Sequence, residues 1–259
     1  MQTVTSADGT RLSLELAGSG PALLLVHGAF VDPRVSPALV AVLARTFTVG
    51  VLHRRGRVGS GPFGADHAIE RDFEDVAAAI DRLGHPAVVI GHSYGAWCAL
   101  YGVRLSRSGA DRLVLYEPAP FGAPPGPTVE HIRAALAAGT PDDAVATLLH
   151  EVNGMPQPAV ESMRGSPFWR LLLANVDVFV PELEALGAFR FEPERFAGFD
   201  VPTLLLAGAT SPRQLRSMVT LVAGALPDAR VQEIPDQGHG AMSSAPELFA
   251  GFVRGFGAF

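Results

Sequence analysis

The stretch "VVIGHSYGAW", Val88–Trp97, passes from a continuous apolar run through a glycine-flanked serine into the helical pattern "YGAWCALYGVRL". A short apolar run of this kind suits a strand covered on both faces, and the residues after the serine have helical spacing. Ser93 therefore falls on a sharp strand-to-helix turn, where Gly91 and Gly95 let the backbone change direction without clashes. Such a turn presents the hydroxyl outward, and the helix N-terminus behind it favours developing negative charge. A bare G-x-S-x-G is a weak signal in a chain with 28 glycines, so its surroundings have to decide its meaning.

Those surroundings repeat the strand-then-helix rhythm. "PALLLVHG", "FTVGVLHRRG", "PAVVIGHS", "DRLVLYEP" and "VPTLLLAG" are continuous apolar runs, as in a parallel sheet, whereas "RLSLELAG" alternates like an antiparallel edge strand. Between them, "DPRVSPALVAVLAR" starts with Asp32 as an N-cap and Pro33 at the first helical position, and "ERDFEDVAAAIDRLG" ends on Gly84. This alternation argues for a doubly wound α/β fold. After "VPTLLLAG" come a helix near "SPRQLRSMVTLVAGAL", a short strand "ARVQEIP" and a last helix from about Pro246.

One region departs from the rhythm. From Phe121 to Ala197 the chain has no convincing buried strand; "PFGAPPGPT" leads into helical patterns around "VEHIRAALAAG", "TPDDAVATLLHEV" and "FWRLLLANVDVFVPELEALG". We read residues 121–197 as a helical cap inserted into a core of 1–120 and 198–259. There are no internal repeats.

Composition narrows the function. The 259 residues are 48% hydrophobic and 18% charged, enough for a sizeable core. A net charge of −6 supplies no basic field for a phosphate backbone, so nucleic acid is not an expected partner. All 20 basic residues are arginine, which excludes lysine Schiff-base chemistry. The single cysteine, Cys98, cannot form an internal disulfide and reads as a small core residue. With neither a signal-peptide pattern nor a membrane-length apolar run, the expectation is a cytoplasmic protein, a monomer or small homo-oligomer, acting on a small molecule.

With its motifs in order, "LLLVHGAF", "LHRRGRVGSG", "GHSYG" and "DQGHGAM", the chain resembles the α/β-hydrolase superfamily over nearly everything outside the cap. The resemblance implies a mostly parallel eight-stranded sheet flanked by helices, with an inserted helical cap. It is nearest to capped, cofactor-independent serine hydrolases whose strand-four signature is D-R-R-G-x-G-x-S; here His53 stands for the Asp and Val58 for the second Gly.

A serine hydroxyl needs a base. His239, in the glycine-flanked loop after the last strand, stands where the superfamily carries its histidine. His27 and His92 lie in motifs with structural residues, and the remaining histidines read as solvated or locally hydrogen-bonded. The base needs an orienting acid, which the superfamily commonly supplies after its seventh strand. In "AGATSP" that slot holds Ser211, which with Pro212 reads as a helix start. Glu117, in "LVLYEPAP", ends the sixth strand at the carboxyl edge where open α/β sheets build sites; haloalkane dehalogenases are superfamily members with an acid there. Glu117 is the first candidate, Asp236 the second, and a dyad without an acid the third. Asp200 precedes the seventh strand, at the wrong edge.

The resemblance further implies an oxyanion hole from the backbone N–H groups of Ala29 and Tyr94. Phe30, Trp97, Phe168 and Trp169 are candidates for an apolar acyl pocket or for core. No H-E-x-x-H, cysteine cluster, phosphate loop or dinucleotide fingerprint is present, so neither metal nor cofactor is expected. The function expected is hydrolysis of an ester or thioester through Ser93, His239 and Glu117. The alternatives are a cofactor-free cyclase or lyase of a natural-product pathway in the same pocket, and a ligand-binding receptor on the same fold.

Overall fold

The computed structural model describes residues 1–122 and 126–256. Strands β1 (Gln2–Thr5), β2 (Arg11–Ala17), β3 (Ala22–Val26), β4 (Thr48–His53), β5 (Val88–His92), β6 (Leu113–Tyr116), β7 (Thr203–Gly208) and β8 (Ala229–Ile234) form one eight-stranded sheet ordered β1-β2-β4-β3-β5-β6-β7-β8. All neighbours from β4 to β8 in that order are parallel. β2 is antiparallel as its alternation implies, but it is not the edge: the four-residue β1 pairs along its outer side.

Strand periodicity divides the core in two. Leu24 and Val26 of β3, Val89 of β5 and Leu205 of β7 face one layer of helices, while Leu23, Leu25, Val88, Ile90, Leu204 and Leu206 face the other. That is why the sequence shows continuous apolar runs instead of alternation. Helix α1 (Pro37–Leu43) lies on the second face; α2 (Ile69–Leu83) and α3 (Tyr94–Leu105) lie on the first. Asp32 does cap, accepting from the Arg34 amide, but it caps a 3-10 turn over Pro33–Val35 that precedes α1. Gly84 ends α2 in the left-handed conformation at φ 72°.

No strand occurs among the described residues between β6 and β7. The segment holds α4 (Gly126–Ala137), α5 (Pro141–Thr147), α6 (Gln157–Met163), α7 (Pro167–Leu173) and α8 (Phe179–Ala188), which share their own apolar cluster. In the proline- and glycine-rich lead-in, residues 123–125 lie outside the described residues. Instead of one helix, the stretch "FWRLLLANVDVFVPELEALG" folds as α7, a 3-10 turn over Val176–Val178, and α8. The break is at Asn175, whose side-chain amide donates to the Leu171 carbonyl at 2.8 Å, an acceptor the helix ladder would use.

The chain closes with α9 (Arg213–Ala223) on the first face and α10 (Ala241–Ser244) and α11 (Pro246–Phe256) on the second. Among the described residues no helix is long and apolar enough to cross a membrane.

Candidate active site

Ser93 separates β5 from α3 at φ 55°, ψ −120°. For a residue other than glycine this costs roughly 1–3 kcal/mol and persists only where neighbours hold it. Its amide donates to the Tyr116 carbonyl at 3.0 Å, tying the turn to the end of β6. A Cβ on Gly91 would stand 2.4 Å from the Gly95 carbonyl oxygen, and one on Gly95 would stand 2.4 Å from that of His27. Only glycine lets the start of α3 press this closely on β5 and β3. The loop leaving β3 is also close: a Cβ on Gly28 would lie 3.3 Å from Ser93 Cβ.

Glu117 follows β6 directly, its amide donating to the Leu206 carbonyl at 3.1 Å and its φ at 43°. The side chain is fully buried. Oε1 accepts the Gly208 amide at 2.7 Å, and Oε2 lies 2.6 Å from His239 Nδ1. A carboxylate only accepts, so Nδ1 is the donor in this contact and Nε2 is the ring nitrogen left for another partner. The imidazole is one-third exposed.

The competing acids are elsewhere. Asp236 is exposed, in a left-handed turn at φ 57°, and makes no hydrogen bond to His239 among the described residues. Asp200, also exposed, precedes β7. Ser211 does not cap α9 as its sequence suggests; Pro212 holds that position, and Ser211 Oγ is buried without a hydrogen-bond partner.

Two further side chains seat the His239 loop. His92 Nε2 donates to the His239 carbonyl at 3.1 Å, and its ring lies 4.5 Å from that of His239 and stacks on Tyr116 at 5.0 Å. The Tyr116 hydroxyl donates to the Gly238 carbonyl and accepts from the Ala241 amide at 3.2 Å. Burial, with the neighbouring His239, pushes His92 well below the usual imidazole range, so it stays neutral. His27 is likewise depressed, by burial first and then by Arg54 and Arg57.

Neither the Ala29 nor the Tyr94 amide has an acceptor among the described residues. The next amide along, that of Phe30, donates to Glu182 Oε2 at 2.7 Å. Glu182 comes from α8 and was invisible to motif reading. It pairs with Arg54 Nη2, and with Arg57 at 2.8 and 3.0 Å, all three side chains being fully buried. Arg54 also lies 3.5 Å from Asp72 and sits over the Tyr94 ring, while the Tyr94 hydroxyl donates to Asp72 at 2.9 Å. Burial works against the Arg54 charge, yet Glu182 and Asp72 hold it above its ordinary range. For Arg57 burial wins and the shift is downward. His53, in place of the signature Asp, is buried, and its Nδ1 meets the Val58 carbonyl at 2.9 Å, closing the strand-four loop.

The aromatic candidates separate. Phe30, half-buried at φ 65°, meets Phe179 of α8 edge-on at 5.6 Å. Trp97 is fully buried against Phe121, Phe189 and Phe191, with Nε1 donating to the Ala119 carbonyl at 2.8 Å. Trp169 is fully buried among the apolar residues of α4–α8, and its Nε1 donates to Asp142 at 2.7 Å. Neither tryptophan offers surface to a ligand, so of the two readings the sequence leaves open for them, pocket wall or core, both lie in the core. Phe168 is exposed on α7. Cys98 is buried, and burial pushes its thiol well above the usual range. Among the described residues no group of three or more His, Cys, Asp or Glu side chains is placed to hold a metal ion.

Known proteins share this arrangement of strands and loops. Residues 23–252 match the model of the alpha/beta hydrolase family, and the chain belongs to that family. An alpha/beta hydrolase from Sphaerobacter thermophilus superposes with a TM-score of 0.85 at 34% identity, covering 98% of this chain and 99% of that one. A thermophilic esterase from Thermogutta terrifontis shares the fold at a TM-score of 0.76 and 21% identity, over 98% of each chain. The mouse (Mus musculus) sn-1-specific diacylglycerol lipase ABHD11 is 26% identical over 254 residues, spanning 91% of this chain and 80% of that protein. This chain is thus an enzyme of the hydrolase class.

Proposed function

We propose that the protein is a serine hydrolase that cleaves an ester or thioester of a small organic substrate through Ser93, His239 and Glu117. The observation that carries this reading is the 2.6 Å contact between His239 Nδ1 and the buried Glu117 carboxylate, in a loop that His92 ties to the Ser93 turn. The mouse relative, named as a diacylglycerol lipase, supports ester chemistry.

Ser93 Oγ attacks the substrate carbonyl while His239 Nε2 takes its proton; Glu117 holds the ring and stabilises the imidazolium. The Ala29 and Tyr94 amides receive the oxyanion, each contributing roughly 3 kcal/mol to the transition state. His239 returns the proton to the leaving group, then draws one from water, which attacks the acyl-enzyme and frees the acid. Every proton in the cycle moves between Ser93, His239, substrate and water.

The test is turnover of p-nitrophenyl butyrate together with intact-mass detection of an acyl-enzyme. Wild type is expected to turn over and to trap one acyl group on Ser93, and Ser93→Ala to lose about 10⁴-fold or more in kcat. An inert wild type, or a Ser93→Ala variant that keeps its rate, would overturn the reading.

A further inference from the structure

Charged side chains outside the triad hold the loop around Ala29 at three successive points. The Gly28 carbonyl accepts from His27 Nδ1 at 2.8 Å and from Arg54 Nη2 at 3.3 Å. The Phe30 amide donates to Glu182 at 2.7 Å, and the Val31 carbonyl accepts from Arg57 Nε at 3.2 Å. A peptide group is planar and trans, so fixing the Gly28 carbonyl fixes the Ala29 N–H on the opposite side. Phe30 sits at φ 65°, a conformation that a bulky side chain leaves unless something holds it. Among the described residues, the one group reaching that residue's amide is a carboxylate from α8, more than a hundred residues along the chain.

Stability does not account for this cluster. Buried ion pairs lose on desolvation about what they gain in attraction, and apolar side chains of similar volume commonly do as well. What an apolar replacement cannot do is accept the Phe30 amide and orient two guanidinium groups toward the carbonyls of the same loop.

We propose that Glu182 is a positioning residue of the oxyanion site: joined to Arg54 and Arg57, it clamps the peptides on both sides of Ala29. The inference rests on the reading of Ala29 as an oxyanion donor. Its consequence is that the donor amide is aimed only while α8 is seated on the core, so substrate reaches Ser93 around a docked α8 and not beneath a lifted one.

The test uses the full chain with Glu182→Leu/Arg57→Leu, which removes one charge of each sign and leaves the Phe30 amide without an acceptor. The second variant, Glu182→Asp, keeps the charge but draws the carboxylate back by one methylene. Each is measured for kcat and KM on p-nitrophenyl butyrate and for affinity toward an alkyl trifluoromethyl ketone, whose adduct places an alkoxide at the oxyanion position. The double variant is expected to lose about tenfold to a hundredfold in kcat, part of the loss for a whole donor, with KM within about threefold. Ketone affinity should fall in parallel, and Glu182→Asp should lose about fivefold or more. A merely structural role would lower the melting temperature without moving kcat against KM or weakening the ketone selectively.

Either variant, folded by near-UV circular dichroism and within twofold of wild type in kcat and ketone affinity, overturns the clamp while leaving the triad reading intact. If the double variant does not fold, Glu182→Asp decides by the same criterion. A wild type that neither turns over nor labels at Ser93 overturns the triad reading, and the clamp with it.

Discussion

Two glutamates lie fully buried, one holding the His239 loop and the other the loop around Ala29, and they are solvated by the protein in different ways. Glu117 receives one backbone amide and one imidazole, the group that gains a proton in the proposed reaction. Glu182 receives two guanidinium groups and one backbone amide, so its charge is already matched. In the proposed mechanism the first would stabilise a charge that appears in the transition state, and the second would hold backbone in place throughout. Burial and residue type are the same; it is the partners that separate the two proposed roles.

That contrast breaks most visibly at Glu117. In Glu117→Gln the amide oxygen serves the Gly208 N–H and the NH₂ group faces His239 Nδ1, favouring the tautomer whose Nε2 is already protonated. We expect kcat to fall by about 10³–10⁴-fold, with the melting temperature little changed. The same change at Glu182 acts first on folding. Glu182→Gln leaves Arg54 and Arg57 with an uncompensated buried charge, about 3–5 kcal/mol of stability and a melting temperature lower by on the order of 10 °C, readable by calorimetry.

Acid should weaken both flanks. His27, beneath the Arg54 side, and His92, beside His239, have folded values below the ordinary imidazole value, so the unfolded chain binds more protons in acid. Stability is therefore full above about pH 6.5 and falls as pH drops below it, each histidine adding up to about 1.4 kcal/mol per pH unit. Urea titrations between pH 7 and 5 of wild type, His27→Gln and His92→Gln would show which flank gives way. The smallest effect is expected for Tyr116→Phe, which removes the hydroxyl holding Gly238 and Ala241: about 1 kcal/mol in stability and a severalfold loss in kcat.

Much of the Glu117 flank was legible in the sequence. The apolar runs located β3–β7 because strands buried on both faces carry no polar alternation, and the glycines around Ser93 announced a turn that the Cβ distances require. Glu117 could be nominated because it ends a strand at the carboxyl edge. The Glu182 flank was not legible. Within "VPELEALG" that residue looks like any helical glutamate, since its partners Arg54 and Arg57 lie more than a hundred residues earlier and nothing local marks the pairing. The tryptophans stayed open between pocket and core for a related reason: an aromatic side chain on a helix has the same spacing whether it faces a ligand or a neighbouring ring. The break at Asn175 escaped because a single side-chain hydrogen bond decides what apolar periodicity leaves open.

The most direct test of the triad is the rate at which a fluorophosphonate modifies Ser93, read by intact mass, in wild type, Glu117→Gln and Asp236→Asn. Equal rates are expected for wild type and Asp236→Asn, and a rate at least about a hundredfold lower for Glu117→Gln. A slow Asp236→Asn beside a Glu117→Gln that labels like wild type would overturn the assignment of Glu117 and move the acid to the loop after β8.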